Sequence, residues 1–339
     1  MAKKHSIHTI AKEVGLSATT VSLIINGVGK ENRISDAAIA RVKEYLEKID
    51  YKPNVLAQAL RTGKTNVIGM LVEDISDPFF SAIARGVEVG LEASGYRIFF
   101  MSTKNNLENA VAKLATLKGY KVDGYIIAPT PGLEKELLKL LKSGKPVVLF
   151  DRYFPNIKTC NVIVDNESGA KQGTEELISN GYERIGFVTL QSDQIQMADR
   201  KRGYEQAIYN SIQKNEIVLE LPYNQTEKDN SQSIKQFLET NKTIDALLFG
   251  TNYLAIAGLQ TIKDFALVPG KDFGIVGFDD NTNFKLFTPS VTAIAQPVDY
   301  IAENIVKEIL TALSMYEQWS QDTKVLPVNL IRRESSLRN

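Results

Sequence analysis

Apolar residues follow two different rhythms along this chain. Through the first 50 positions they recur at helical spacing, with no strand-like run. In HTIAKEVGLS, Ile10, Ala11 and Val14 share one face, and Gly15 stops the helix. Ser17 is placed to cap a second helix that ends near Asn26 and Gly27, before the turn-rich GVGKEN. A third helix starts at Ser35 and Asp36 and runs to about Ile49, with Ile39, Val42, Tyr45, Leu46 and Ile49 at helical spacing. Residues 1–50 thus read as a small all-α module of three short helices.

The stretch YKPNVLAQALRTGKTN makes residues 51–65 a hinge. Pro53 forces Lys52 out of helical geometry, Asn54 caps one brief helix over 55–60, and Arg61-Thr62-Gly63 breaks it. From Val67 the rhythm changes. Near-continuous apolar, β-branched runs appear at 67–72, 96–102, 124–129, 146–151, 161–165, 184–190, 246–250, 273–280 and 291–297. Between them lie amphipathic stretches such as 80–94, 169–180 and 254–266. This alternation predicts strands buried on both faces of parallel sheets, joined by crossover helices. Residues 66–339 hold too many strands for one mononucleotide-type unit, so two α/β lobes with a cleft between them are expected. The helix at 299–310 carries Ile301, Ile305, Ile309 and Leu310 on one side, which reads as core packing.

Composition sharpens the picture in one respect. The chain is 43% hydrophobic and 24% charged, ordinary for a globular protein, and its 40 basic and 40 acidic residues cancel. That balance hides an asymmetry: residues 1–65 carry 11 Lys and Arg against 6 Asp and Glu, a net +5, and the remainder is −5. A basic head on an acidic body suits a head that meets a polyanion. The single cysteine, Cys160, excludes an internal disulfide and reads as a small semi-buried residue, not a nucleophile. The histidines, His5 and His8, both lie near the N-terminus, so the core can build neither a Ser-His-Asp arrangement nor a His-containing metal site. G-x-G-x-x-G and Walker A sequences are absent. The expectation is therefore no metal, no cofactor and no enzyme. Without a signal-peptide pattern or a run of ~18 apolar residues, a cytoplasmic protein away from membranes is expected.

The second helix, within LSATTVSLIING, is the most informative stretch. Small hydroxyl side chains crowd its front half, where a purely structural helix favours Leu, Glu and Lys. A helix entering the DNA major groove needs short polar side chains at its N-terminal end, so that its backbone can approach the bases. Ala18, Thr19, Ser22 and Asn26 lie on one face, and Val21, Ile24 and Ile25 on the other. With Gly15 permitting a tight turn, Ala11-x-x-x-Gly15-x-Ser17-x-x-Thr20-Val21-Ser22 is a helix-turn-helix pattern.

TIAKEVGLSATTVSLIING, followed by YKPNVLAQALRTGKTNVIGMLVEDISDPFF, closely resembles the LacI/GalR family of bacterial transcription regulators. The likeness continues through VDGYIIAP, PVVLFDR, VDNESGA, NGYERIGFVT, RKRGY, GIVGFDD, TPSVTAIAQP and LPVNLIRRES. It implies a homodimer, in some members a tetramer, that binds double-stranded operator DNA under the control of a small-molecule effector. Each subunit would join a DNA-reading headpiece and hinge to a core like the periplasmic sugar-binding proteins. Carried over by motif, Ser17, Ala18, Thr19, Thr20, Ser22, Leu23 and Asn26 contact DNA, with Ser6 and Ile7 at the start of the first helix. Tyr51 and Asn54 help place the hinge, Ala57 lies within it, and Leu60 matches the family's minor-groove wedge. Leu23 stands where the family usually has Arg. Leu cannot donate to guanine but can touch a thymine methyl, so the operator should differ from the usual family sequence. GVGKENRIS is longer than the usual connection; Lys30 and Arg33 there either add phosphate contacts or are simply solvated.

The same motifs imply effector contacts from Asp77, Phe79 and Phe80 in DISDPFF, Asp151 in LFDR and Arg200 in RKRGY. Thr251 and Asn252 in GTNYLA, Asp279 in GFDD and Gln296 in IAQP complete the set. Asp77 replaces a more usual Asn, and Thr251-Asn252 replaces a common Asn-Asp. Carboxylates and a guanidinium engage adjacent hydroxyls in pairs, and an aromatic face stacks on a ring. That favours a small polyol, a carbohydrate or derivative first and a nucleobase second. By resemblance the dimer surface lies around 80–94 and 284–288. A secreted sugar-binding protein would share the core but lack residues 1–60 as written. A sugar-processing enzyme would need an acid, base or nucleophile among carboxylates that the resemblance assigns to binding. Relief by ligand and dependence on a co-repressor share every motif.

Overall fold

Side-chain hydroxyls start each helix near the N-terminus. In α1 (Ile7–Val14), Ser6 Oγ accepts the Thr9 amide while Thr9 Oγ1 accepts the Ser6 amide. Gly15, at φ 68°, ends α1 in the left-handed conformation that penalises other residues. Ser17 caps α2 (Ala18–Ile25) through the Thr20 amide, and Ser35 caps α3 (Asp36–Lys48) through the Ala38 amide. Their apolar faces converge on Ile10, Val14, Val21, Ile24 and Val42, each no more than 5% exposed. At roughly 1.5–3 kcal/mol per buried aliphatic side chain, these contribute on the order of 10 kcal/mol against chain entropy. The computed structural model describes residues 6–51, 63–223 and 225–338. The expected hinge helix, with Asn54, Ala57 and Leu60, lies outside the described residues.

The chain divides into two units, residues 1–65 and 66–339. The second contains two six-stranded sheets. One is built from β1 (Val67–Val72), β2 (Arg97–Ser102), β3 (Gly124–Ile127), β4 (Val147–Phe150), β5 (Cys160–Val164) and β11 (Thr323–Leu326). These strands are all parallel, in the order β11-β5-β4-β3-β1-β2. The other is built from β6 (Ile185–Leu190), β7 (Val218–Leu221), β8 (Ala246–Phe249), β9 (Gly274–Phe278), β10 (Thr292–Ala295) and β12 (Asn329–Ile331). Its order is β12-β10-β9-β8-β6-β7, with only β12 antiparallel. Every residue of β3, β4 and β5 is buried, because helices cover both faces of the sheet.

The crossovers are α4 (Pro78–Glu92), α5 (Leu107–Gly119) and α6 (Glu134–Lys142) in the first lobe. In the second they are α7 (Asn166–Ser179), α8 (Ile195–Tyr209), α9 (Glu227–Thr240) and α10 (Asn252–Asp264). The chain passes between lobes after β5, after β10 and again between β11 and β12. The middle passage delivers α11 (Val298–Ser314) back to the first sheet, where Ile301, Ile305 and Ile309 are at most 2% exposed. In the second lobe a Cβ on Gly203 would stand 2.0 Å from the Glu167 carbonyl oxygen, so α7 and α8 cross where only glycine fits.

Two expectations need correction. The edge strands β7, β11 and β12 were not anticipated, because they are partly exposed and mix polar with apolar residues. Cys160 is not semi-buried: it begins β5 at 1% exposure, with its thiol donating to Glu308 Oε2 at 3.5 Å. Burial, and then the Glu308 carboxylate, push that thiol up to about 12. Among the described residues, no helix is long and apolar enough to cross a membrane.

Candidate functional site

In the headpiece, capping decides which hydroxyls are free. Ser17 Oγ accepts the Thr20 amide at 3.0 Å and lies 2.8 Å from the Thr20 hydroxyl, so this pair fixes the first turn of α2. Thr19 projects, exposed, between them. Ser22, Leu23 and Asn26 are half-buried, and Asn26 Nδ2 donates to the Ser22 carbonyl at 2.6 Å. Ala18 and Ile25, expected on opposite faces, both lean on the headpiece core. Ser6 is exposed at the start of α1, Ile7 packs partly against the core, and Tyr51 does so beyond α3. Lys30 faces Asp36 at 3.3 Å, and Arg33 is exposed at φ 57°.

In the core, the carboxyl ends of the strands deliver the polar groups, as open α/β sheets generally do. Glu73 follows β1, Asp151 and Arg152 follow β4, Asp279 follows β9, and Gln296 follows β10. Asp77 caps α4 by accepting the Phe79 amide at 2.8 Å, and Thr251 caps α10 just before Asn252. Asp77, Phe79, Phe80, Asp151 and Arg200 line one cavity with Thr251, Asn252, Asp279 and Gln296. The free space between them is about 40 Å³, far below the roughly 300–1,000 Å³ usual for a ligand pocket. Asp151 and Asp279 hold φ of 66° and 70°, a left-handed conformation that Asp and Asn tolerate better than most residues.

Arg200 is 2% exposed and held on several sides. Its Nε donates to Asn166 Oδ1 at 2.8 Å and its Nη1 to the Gly250 carbonyl at 2.6 Å. The guanidinium lies 3.6 Å over the Phe278 ring, and Nη1 is 3.8 Å from Asp279. Gln296 Nε2 donates to Asp279 Oδ1 at 2.6 Å. Burial, and then repulsion from Asp279, raise the Asp77 carboxyl to about 6. Burial raises Asp151 to about 6 as well, with Arg152 and Arg200 opposing and Glu73 and Asp279 adding to the rise.

Sequence reasoning missed several lining residues, among them Glu73, Arg152, Gln196, Tyr223 and Tyr253. Glu73 and Arg152 were findable, as Glu73 directly follows β1 and Arg152 stands one residue beyond that position after β4. Tyr223 was not, because β7 before it went unrecognised. These residues form a clasp across the lobes. Arg152 donates to Glu73 at 2.7 Å in its own lobe and to Gln194 at 3.1 Å in the other. The Tyr223 hydroxyl, kept protonated by burial, donates to Glu73 from the second lobe. Gln194 Nε2 reaches back to Asn105 at 3.0 Å. Two wider clefts, of about 540 and 590 Å³, flank the inner cavity, and Tyr223 borders all three. Arg152 Nε, Gln196 Oε1 and Gln296 Oε1 are buried without a hydrogen-bond partner.

Known proteins share both units. Residues 65–311 match the family of periplasmic binding proteins and sugar binding domain of the LacI family, and residues 6–54 match the bacterial regulatory proteins of the lacI family. The HTH-type transcriptional repressor PurR of Aliivibrio fischeri is 30% identical over 309 residues, 90% of each chain. The lac repressor dimer bound to operator and the anti-inducer ONPF is structurally similar, with TM-score 0.86 at 19% identity, covering 99% of this chain and 100% of that one. A LacI family regulator from Enterococcus faecium with bound ribose is similar over 80% of this chain and 98% of its own, with TM-score 0.71 at 24% identity. With the helix-turn-helix module, the two-lobed core and family matches over both, the chain belongs to the LacI family of bacterial transcriptional regulators.

Proposed function

We propose that this regulator binds a pseudo-palindromic operator as a homodimer, and that a small polyhydroxylated ligand in the cleft sets its operator affinity. Residues 1–50 read DNA, 51–65 form the hinge, and 66–339 bind ligand and dimerise. The observation that carries this reading is the convergence of half-buried carboxylates, buried Arg200 and unpartnered amide oxygens where the strand ends of the two lobes meet. Adjacent sugar hydroxyls suit carboxylates and a guanidinium, and each orphan acceptor would gain a donor. The sugar-binding character of the matched family supports a carbohydrate or close derivative.

On this reading Ser6, Ile7, Ser17, Ala18, Thr19, Thr20, Ser22, Leu23, Asn26 and Arg33 meet the operator, and Tyr51, Asn54, Ala57 and Leu60 serve the hinge. Exposed Val89, Leu286 and Phe287 offer apolar area to a second subunit. The protein works in the cytoplasm, without cofactor or catalysis. Because the inner cavity is small, the lobes must part to admit the ligand, and a difference in ligand affinity between the two lobe arrangements shifts the equilibrium. Linkage then requires operator to change ligand affinity by the same factor as ligand changes operator affinity. Calorimetric titration of a ligand identified from a sugar panel, with and without operator, tests this; equal affinities refute it. Operator binding should also weaken steeply with salt as counterions are released, and an operator affinity indifferent to salt refutes the DNA reading.

A further inference from the structure

We propose that the ligand is cationic: the cleft fits an aminated polyol, such as an amino sugar, and rejects sugar acids and sugar phosphates. This rests on the polyol reading above and narrows it. Four carboxylates line the inner cavity, from Glu73, Asp77, Asp151 and Asp279, against two guanidinium groups, from Arg152 and Arg200. Lysine and histidine are absent from the lining among the described residues. Lys104, in a flanking cleft, already pairs with Asp74.

The two cations are largely engaged within the protein. Arg152 binds Glu73 and Gln194, and its remaining Nε, buried without a hydrogen-bond partner, stands 3.6 Å from Asp151. Arg200 binds Asn166 and the Gly250 carbonyl and lies beside Asp279. Each guanidinium therefore has a carboxylate next to it, and two negative charges stay in surplus. Burial raises the carboxyls of both Asp77 and Asp151, and repulsion from Asp279 adds to the rise at Asp77. An anionic ligand would add to the surplus.

The amide oxygens give a second, independent indication. Gln296 donates its Nε2 to Asp279, which leaves Oε1 as its free acceptor. That Oε1 has no partner although the residue is only 9% exposed. Gln196, 2% exposed, also leaves its Oε1 unpartnered in the same lining. Buried orphan acceptors require donors. An ammonium brings three donors and a compensating charge, where a hydroxyl brings one donor and none.

Charge-assisted hydrogen bonds are about twice as strong as neutral ones, which sets the expected preference at roughly tenfold. The test is calorimetry at neutral pH and low salt with matched sets of hexoses and pentoses: amino sugar, neutral parent, sugar acid and sugar phosphate. In the set that binds, the amino sugar should be tightest and the acid and phosphate weakest. Asp77→Asn and Asp151→Asn should each reduce the ratio of amino-sugar to parent affinity. A neutral parent that binds as tightly as its amino derivative, or an acid or phosphate that binds more tightly than the parent, overturns the cationic assignment and leaves the polyol site standing. A panel without a binder in any set overturns both.

Discussion

Replacing Asp151 with Asn should stabilise the ligand-free protein at neutral pH, and the gain should vanish in acid. In the folded chain burial raises this carboxyl from an ordinary 3.8 to about 6, despite the attraction of Arg152 and Arg200. A rise of roughly two units corresponds to roughly 3 kcal/mol. The folded state holds the proton more tightly than the unfolded chain, so this stability is fully present below about pH 4. It is lost as pH rises through about 6, where the native carboxyl must ionise in its buried site. Asn has no proton to lose and accepts the φ of 66° that position 151 requires. Thermal unfolding of both proteins from about pH 4 to pH 8 should show a difference near zero at the acid end. It should grow through pH 5–6 and level off at roughly 5 °C in favour of the variant. A variant equally or less stable throughout would refute the reasoning. It would mean that the ionised carboxylate holds the cleft together through the two arginines.

Arg200→Ala and Asp279→Ala should abolish the operator response to ligand while leaving ligand-free operator affinity near normal. Electrophoretic mobility shifts with and without ligand check this, and a retained response sinks the cleft assignment. Tyr223→Phe removes one cross-lobe hydrogen bond to Glu73, so ligand association should speed up by as much as roughly tenfold, read by stopped-flow fluorescence. An unchanged association rate means that the clasp does not limit entry. Cys160, with its thiol pushed up to about 12, should alkylate more than about a thousandfold more slowly in the folded protein than in denaturant near pH 8. Mass spectrometry after iodoacetamide treatment reads this, and rapid native labelling would contradict the buried placement.

The buried strands were legible because parallel sheets covered on both faces leave little room for polar residues, as in VVLF and GYII. Edge strands escaped for the converse reason: TKVL and NLI each face solvent along part of their length. The helix starts were read two or three residues late, at 80, 169 and 254 rather than Pro78, Asn166 and Asn252. Those helices start from polar caps, Asp77, Asp165 and Thr251, so their beginnings lack the apolar spacing by which a helix is recognised. The nine cleft residues came from motif likeness. Tyr223 and Gln194 could not be found that way, because their partners Glu73 and Arg152 lie far away in sequence and meet them only when the lobes face each other.

The passages between the lobes also set a timetable for synthesis. The first lobe starts at β1, yet the helix that covers one face of its sheet, α11, and its edge strand, β11, are encoded after residue 297. A ribosome adding roughly 5–20 residues per second takes roughly 8–30 s to get from β5 to the end of α11. Throughout that interval the sheet face that Ile301, Ile305 and Ile309 will cover stands open on the nascent chain. The second lobe, by contrast, runs from α7 to β10 without leaving its own sheet and lacks only the short β12 and the C-terminal segment after it, whose Ser335 bonds to Ile275 and Thr292. The half that emerges first from the ribosome is therefore the half that waits longest for a helix to cover its sheet, and it is the one that needs shelter from neighbouring chains while translation continues.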